Sequence, residues 1–210
     1  MRISIILLVL IGFLYSCSKS DNTIEIPPPV EIIPSNEFFP LAINNFWEYE
    51  ESYSSIDTSY TRSFTLTVTD TEYIGNFKWY KIERVRTGWI QYRKLMIEND
   101  SVYELQSNFH IPIRSLQYII PSQRIESFPS WYGGDVQVTR KVERLDTTIN
   151  TEIGQFNNCY KYEFRTGDYI DYETIAYGIG IIERKTIGYN FRTGEQTFLS
   201  IEKITNAKIN

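Results

Sequence analysis

Few side chains in this sequence can do chemistry near neutral pH. His110 is the single histidine in 210 residues, which removes most metal sites, the Ser-His-Asp arrangement and the common Cys-His pair. Within Asn108-Phe109-His110-Ile111-Pro112 it reads as an exposed loop residue. The closest carboxylates are Asp168, Asp171 and Glu173, and on a strand Asp171 and Glu173 share one face. A glycosidase needs two carboxylates across a cleft with one desolvated, and these read instead as solvated surface. No Gly-rich phosphate loop, nucleophile elbow or calcium loop is present. No catalytic residue, metal ligand or cofactor is therefore assigned, and the chain is not expected to be an enzyme. What remains is an aromatic surplus of 4 Trp, 16 Tyr and 12 Phe. Aromatic platforms serve sugar and lipid binders, but the same residues also fill the core of a sheet. Trp131 and Tyr132, before Gly133-Gly134 in an expected loop, and Trp89 are the candidate ligand-binding residues, with Trp131 expected to be exposed and Trp47 to be core.

The two cysteines have different contexts. Cys159 lies within a strand-like run without lysine or histidine beside it and reads as a small buried hydrophobe. Cys17 follows Met1-Arg2, a twelve-residue apolar stretch from Ile3 to Leu14, and Leu14-Tyr15-Ser16. The stretch is too short for a mature membrane helix and suits the apolar centre of a signal peptide. Leu14-Tyr15-Ser16-Cys17 resembles the bacterial lipobox, the alternative being an ordinary signal peptide with a cysteine near its cleavage site. The resemblance implies removal of residues 1–16 and acylation of Cys17, with the lipid bilayer as first partner. Two or three acyl chains hold durably, at about 0.8 kcal/mol per buried methylene. Once Cys17 is acylated, Cys159 has no partner for an intramolecular disulfide.

Residues 17–36 form the lipidated cysteine and a linker. Pro27-Pro28-Pro29 and Pro34 impose polyproline geometry there and little could pack. Ser18-Lys19-Ser20-Asp21 faintly resembles the export signal of Bacteroidota surface lipoproteins, with one acid where two are usual. The expected location is the outer membrane, facing the periplasm or the surface. A net charge of −5 gives no electrostatic reason to bind nucleic acid.

Residues 37–210 form one β-sheet domain. Phe64, Leu66 and Val68, then Val136, Val138 and Val142, then Phe156, Tyr160, Tyr162 and Phe164 alternate with polar residues, the period of half-buried antiparallel strands. Runs near 46–53, 58–70, 77–86, 89–98, 101–106, 135–147, 155–165, 168–176, 180–192 and 195–205 give about ten strands. The expected fold is all-β: a single antiparallel meander curled into a half-barrel or open barrel, after the signal peptide and Pro-rich tether. The one helix candidate spans 108–119, limited by Pro112 and Pro121. Arg86-Thr87-Gly88, Arg165-Thr166-Gly167 and Arg192-Thr193-Gly194 each read as a hairpin reversal with glycine at positive φ. Ile74-Gly75-Asn76-Phe77 followed by Tyr80-Lys81-Ile82-Glu83 parallels Ile153-Gly154-Gln155-Phe156 followed by Tyr160-Lys161-Tyr162-Glu163, which fits two similar halves of a curved sheet or a shared turn chemistry.

Three further segments carry a resemblance. Phe38-Phe39-Pro40-Leu41 with Asn45-Phe46-Trp47-Glu48-Tyr49, the run Gly154-Gln155-Phe156-Asn157-Asn158-Cys159, and Tyr177-Gly178-Ile179-Gly180-Ile181-Ile182 are similar to strands of a set of uncharacterised Bacteroidota lipoproteins. Asn44 stands where that set often has glycine. The resemblance implies an open antiparallel sheet or half-barrel and brings no activity or site residue. The expected function is an envelope lipoprotein that binds a small apolar or glycan ligand, or an envelope protein, in a concave face. A structural subunit of an envelope complex and a carboxylate-dependent hydrolase are the alternatives.

Overall fold

The computed structural model describes residues 37–106, 113–132 and 136–210, apart from the side chains of Tyr132 and Val136. Cys17 and His110 lie outside the described residues. The chain forms β1 (Phe46–Ser55), β2 (Ser59–Ile74), β3 (Phe77–Arg86), β4 (Trp89–Glu98), β5 (Ser101–Gln106), β6 (Ile113–Ile119), β7 (Ile125–Tyr132), β8 (Val136–Leu145), β9 (Ile149–Thr151), β10 (Gly154–Phe156), β11 (Cys159–Arg165), β12 (Tyr169–Ala176), β13 (Gly180–Tyr189) and β14 (Gln196–Lys208). Twelve strands make one antiparallel sheet in the order β6-β5-β4-β3-β2-β1-β14-β13-β12-β11-β8-β7, while β9 and β10 pair by themselves. The protein is all-β, a meander nearly closed into a barrel.

The break in the ring lies between β6 and β7, whereas the strands most distant in sequence, β1 and β14, are joined from Phe46↔Lys208 to Ser55↔Phe198. Ser115 Oγ bridges the gap, donating to the Trp131 carbonyl (3.1 Å) and accepting from the Trp131 N–H (3.0 Å). Pro129 precedes Trp131 by two residues, so its backbone nitrogen is turned to the same side and has no proton to offer β6. The local chemistry of β7 thus limits pairing where the ring would otherwise close.

Two expectations about these elements are corrected. Ile113–Ile119, inside the helix candidate, is strand β6, and Ile125–Tyr132 is an additional strand that places Trp131 and Tyr132 in β7 instead of a loop. The turns containing Gly88 and Gly194 use positive φ (74° and 73°), but Gly167 does not. Antiparallel pairing puts all three Arg-Thr-Gly turns, together with the β1–β2 turn, at one end of the barrel.

The other end is plugged. Phe38, Phe39 and Leu41 are buried beneath the strands, with Phe38 edge-on to Tyr160 (5.5 Å) and Phe39 stacked on Tyr118 (5.7 Å). Trp47 and Tyr49 share the inner face of β1, and Trp47 Nε1 donates to the Ile179 carbonyl (2.6 Å), Tyr49 OH to that of Ile181 (2.8 Å). Gly180 has φ +101°, a backbone shape other residues rarely adopt, and packs beside the Trp47 indole, 3.5 Å separating Nε1 from where a Cβ would stand. The opening Trp-x-Tyr strand and the Tyr-Gly-x-Gly segment are therefore two sides of one floor. Asn44 takes φ 71°, a conformation asparagine tolerates nearly as well as the glycine of the similar set. Buried Asn45 then holds the Pro40 carbonyl (3.1 Å) and the Asn210 N–H (2.8 Å).

Candidate functional site

Above the apolar floor the inner face changes character. Alternation carries Arg84 of β3, Arg93 of β4, Glu104 of β5, Arg140 of β8, Asp171 and Glu173 of β12, Arg184 of β13 and Glu202 of β14 into the interior, where they form a charged layer. Glu104 accepts from Arg93 through both oxygens (2.6 and 2.9 Å). Glu202 binds Arg84 (2.5 Å) and Arg184 (3.3 Å). Glu173, only 5% exposed, accepts from Arg184 Nε (2.7 Å) and Tyr118 OH (2.8 Å), and its Oε2 lies 3.5 Å from Arg140 Nη1. Closer to the rim, Glu51 is held by Arg62 (2.7 Å) and Arg86 (3.1 Å). A buried charge is tolerated only when paired and hydrogen-bonded, and each of these glutamates is.

The layer pushes neighbouring carboxyls in opposite directions. Burial alone would raise Glu173, but the charges of Arg184 and Arg140 and the Tyr118 hydrogen bond outweigh it and bring its pKa to about 2. Burial raises Asp171 and prevails over the hydrogen bond from Thr186, with the charge of Glu173 adding to the rise. Burial likewise raises the Tyr118 hydroxyl, and pushes the Cys159 thiol to about 11. Fully buried Cys159 therefore has negligible thiolate at neutral pH and is not a nucleophile.

Between this layer and the rim is a cavity of about 500 Å³, within the range of small-molecule sites. Its charged walls are Arg93, Arg140, Arg184, Glu104, Asp171, Glu173 and Glu202; glutamines 91, 106 and 117 and Thr186 add neutral polar groups, and Phe164, Tyr169, Phe198 and Trp131 add aromatic ones. Gly188 makes room for one of these rings: a Cβ there would stand 2.1 Å from Phe198. Asp171 and Glu173, expected as solvated surface, instead face this interior, because β12 turns the face bearing its acids inward.

The aromatic candidates separate. Trp131 borders the cavity from the edge of the ring and is 36% exposed. Tyr132 ends β7 opposite Val136, and its side chain lies outside the described residues. Trp89 sits at the tip of the β3–β4 hairpin, 47% exposed, with the Arg86 guanidinium 5.6 Å from its ring centre; it stands at the rim and does not line the cavity. Sequence reasoning missed Arg140, Arg184, Glu202 and Gln117. A signal existed for Arg140, which falls on the apolar parity of β8 between Val138 and Val142. Among the described residues no group of three or more His, Cys, Asp and Glu is gathered to hold a metal ion.

No protein-family model matches the chain, and no curated protein matches it. Among solved structures it is similar to a candidate exported protein of YmcC-like fold from Bacteroides fragilis, at 13% identity over 83% of this chain and 100% of that one, with a TM-score of 0.48. It is also similar to a candidate lipoprotein from Parabacteroides distasonis, at 12% identity over 84% of this chain and 100% of that one, with a TM-score of 0.47. Likeness at this level brings neither residues nor chemistry to this chain.

Proposed function

We propose that the chain is a lipid-anchored lipoprotein of the outer membrane that binds a small polar ligand in the mouth of its barrel without turning it over. The observation that supports this most is the 500 Å³ cavity with a charged floor and partly aromatic walls. Paired arginines and glutamates disfavour an apolar occupant, because desolvating them without new hydrogen bonds costs several kcal/mol. The lipobox and the Pro-rich segment support the anchor. Glu37 and the plug lie at the closed end, so a tether from Cys17 would join the barrel there.

A carboxylate-dependent hydrolase is the second reading, favoured by the opposite shifts of Asp171 and Glu173 on one inward face. Against it, both oxygens of Glu173 are engaged, by Arg184 and by Tyr118. The test is native mass spectrometry of protein extracted gently from its own membrane. A small-molecule adduct, absent from a Thr186→Trp variant that fills the cavity, is the expected result. A bare chain, or one accompanied only by another protein, overturns the ligand reading, the latter in favour of a structural subunit.

A further inference from the structure

Every arginine that borders the cavity is spent on a glutamate. Arg93 is held by Glu104 (2.6 Å), Arg184 by Glu173 (2.5 Å) and Glu202 (3.3 Å), and Arg140 by Glu173 (3.5 Å). The wall sets four carboxylates against these three arginines, and the fourth carboxylate is Asp171. Among the described residues Asp171 forms no ion pair, and its one hydrogen bond comes from the Thr186 hydroxyl to Oδ1, which leaves Oδ2 without a donor. Strand register fixes its setting. Asp171 pairs with Thr186, while Tyr169, two residues nearer the mouth on the same inward face of β12, pairs with Gly188, and Gly188 with Phe198. Because Gly188 has no side chain, the Phe198 ring lies over it, so Tyr169 and Phe198 both line the cavity on the mouth side of the carboxylate.

A carboxylate drawn out of water without a counter-charge is stabilised by a cation brought beside it, and aromatic faces attract the same charge. An anion would instead meet Asp171 with every arginine of the wall already engaged. Oδ2 calls for an N–H donor, which a quaternary ammonium lacks and a primary ammonium supplies. Gln91 and Gln106 add neutral polar groups for hydroxyls. Resting on the ligand-binding reading, we propose that the cavity takes a small hydroxylated compound bearing a protonated primary amine, an aminosugar being the simplest, with its ammonium on Asp171 Oδ2 beside Tyr169 and Phe198.

Calorimetry on the full-length chain in detergent tests this, with glucosamine, N-acetylglucosamine and glucose as probes, at about pH 6.5, where an amine of this kind is charged. Glucosamine should bind at least about tenfold more tightly than either neutral sugar, the factor a charge-assisted hydrogen bond gives. Asp171→Asn, which keeps an acceptor for Thr186 and removes the charge, should erase that preference. Should the variant fail to fold, a crystal structure of the wild-type chain with glucosamine decides, the amine nitrogen being expected within about 3 Å of Oδ2. Equal affinity for the three sugars, a preference that survives Asp171→Asn, a nitrogen seated elsewhere, or no binding by any probe overturns the inference. The ligand-binding reading is judged separately, on the native mass spectrum: an adduct that carries no amine overturns the present inference and leaves that reading standing.

Discussion

Two tryptophans on neighbouring pages of the sequence have opposite weight. Trp47 is 3% exposed and its indole N–H is committed to the Ile179 carbonyl, so Trp47→Ala removes a large buried ring and strands an acceptor. A loss of about 3–5 kcal/mol is expected, against about 0.5 kcal/mol for Trp131→Ala, both read from urea denaturation. A larger effect at Trp131 would reverse the assignment of core and rim. Glu173 makes stability depend on acid. Its carboxyl titrates near 4.5 when unfolded and at about 2 when folded, so its contribution is complete above 4.5 and is lost as pH falls from 4.5 toward 2, by up to about 3 kcal/mol. The groups facing it are Arg140, Arg184, Arg93, Tyr118, Glu104 and Asp171. Raised Asp171 acts in the opposite sense, favouring the fold at low pH and losing that contribution as pH rises through its folded value. Denaturation midpoints across pH 7 to 2 should fall steeply below 4.5 in the wild type. Glu173→Gln should be less stable at pH 7, with two arginines left short of a partner, and flatter below 4.5.

At the scale of strands, the period-two runs were legible wherever one face was apolar and the other wet, as in β2 and β11. Where the inner face is charged the rule loses its sign. In β12, Tyr169, Asp171, Glu173 and Ile175 share one side and Ile170, Tyr172 and Thr174 the other, so alternation shows which residues stand together but not which side is enclosed. In β6 a bulge leaves Gln117 unmatched between Leu116 and Tyr118, interrupting the period and hiding the strand. Pro129 has no N–H to give a central strand, yet β7, at the edge of the break, tolerates it. The Trp47–Tyr49 face was readable because its alternation is local; the cavity was not, because it assembles from nine strands. Gly188 offers a test of how closely β13 and β14 pack. Gly188→Ala should cost about 1–3 kcal/mol by crowding Phe198, and the double variant with Phe198→Ala should recover part of it. Equal melting temperatures for Gly188→Ala and the wild type would show that the ring has room to move.

As a whole, the molecule is polarised: the plug and Glu37, where the described residues begin, at one end, cavity and three Arg-Thr-Gly turns at the other. Cys17→Ser should abolish labelling by an alkyne fatty acid and release the chain from the membrane fraction, and persistent labelling would refute the anchor. The joining of β1 to β14 bears on the order of synthesis. Asn45 and Asn210, linked by a hydrogen bond, are 165 residues apart, and Trp47 must await Ile179 for its acceptor. Until β14 has been translated, β1 presents a bare edge and the floor lacks its far wall, so early strands cannot lock on emergence. Such long-range closure slows folding, so the chain stays an open thread until its last strand is made and becomes a barrel only then, the order that the proposed export would require.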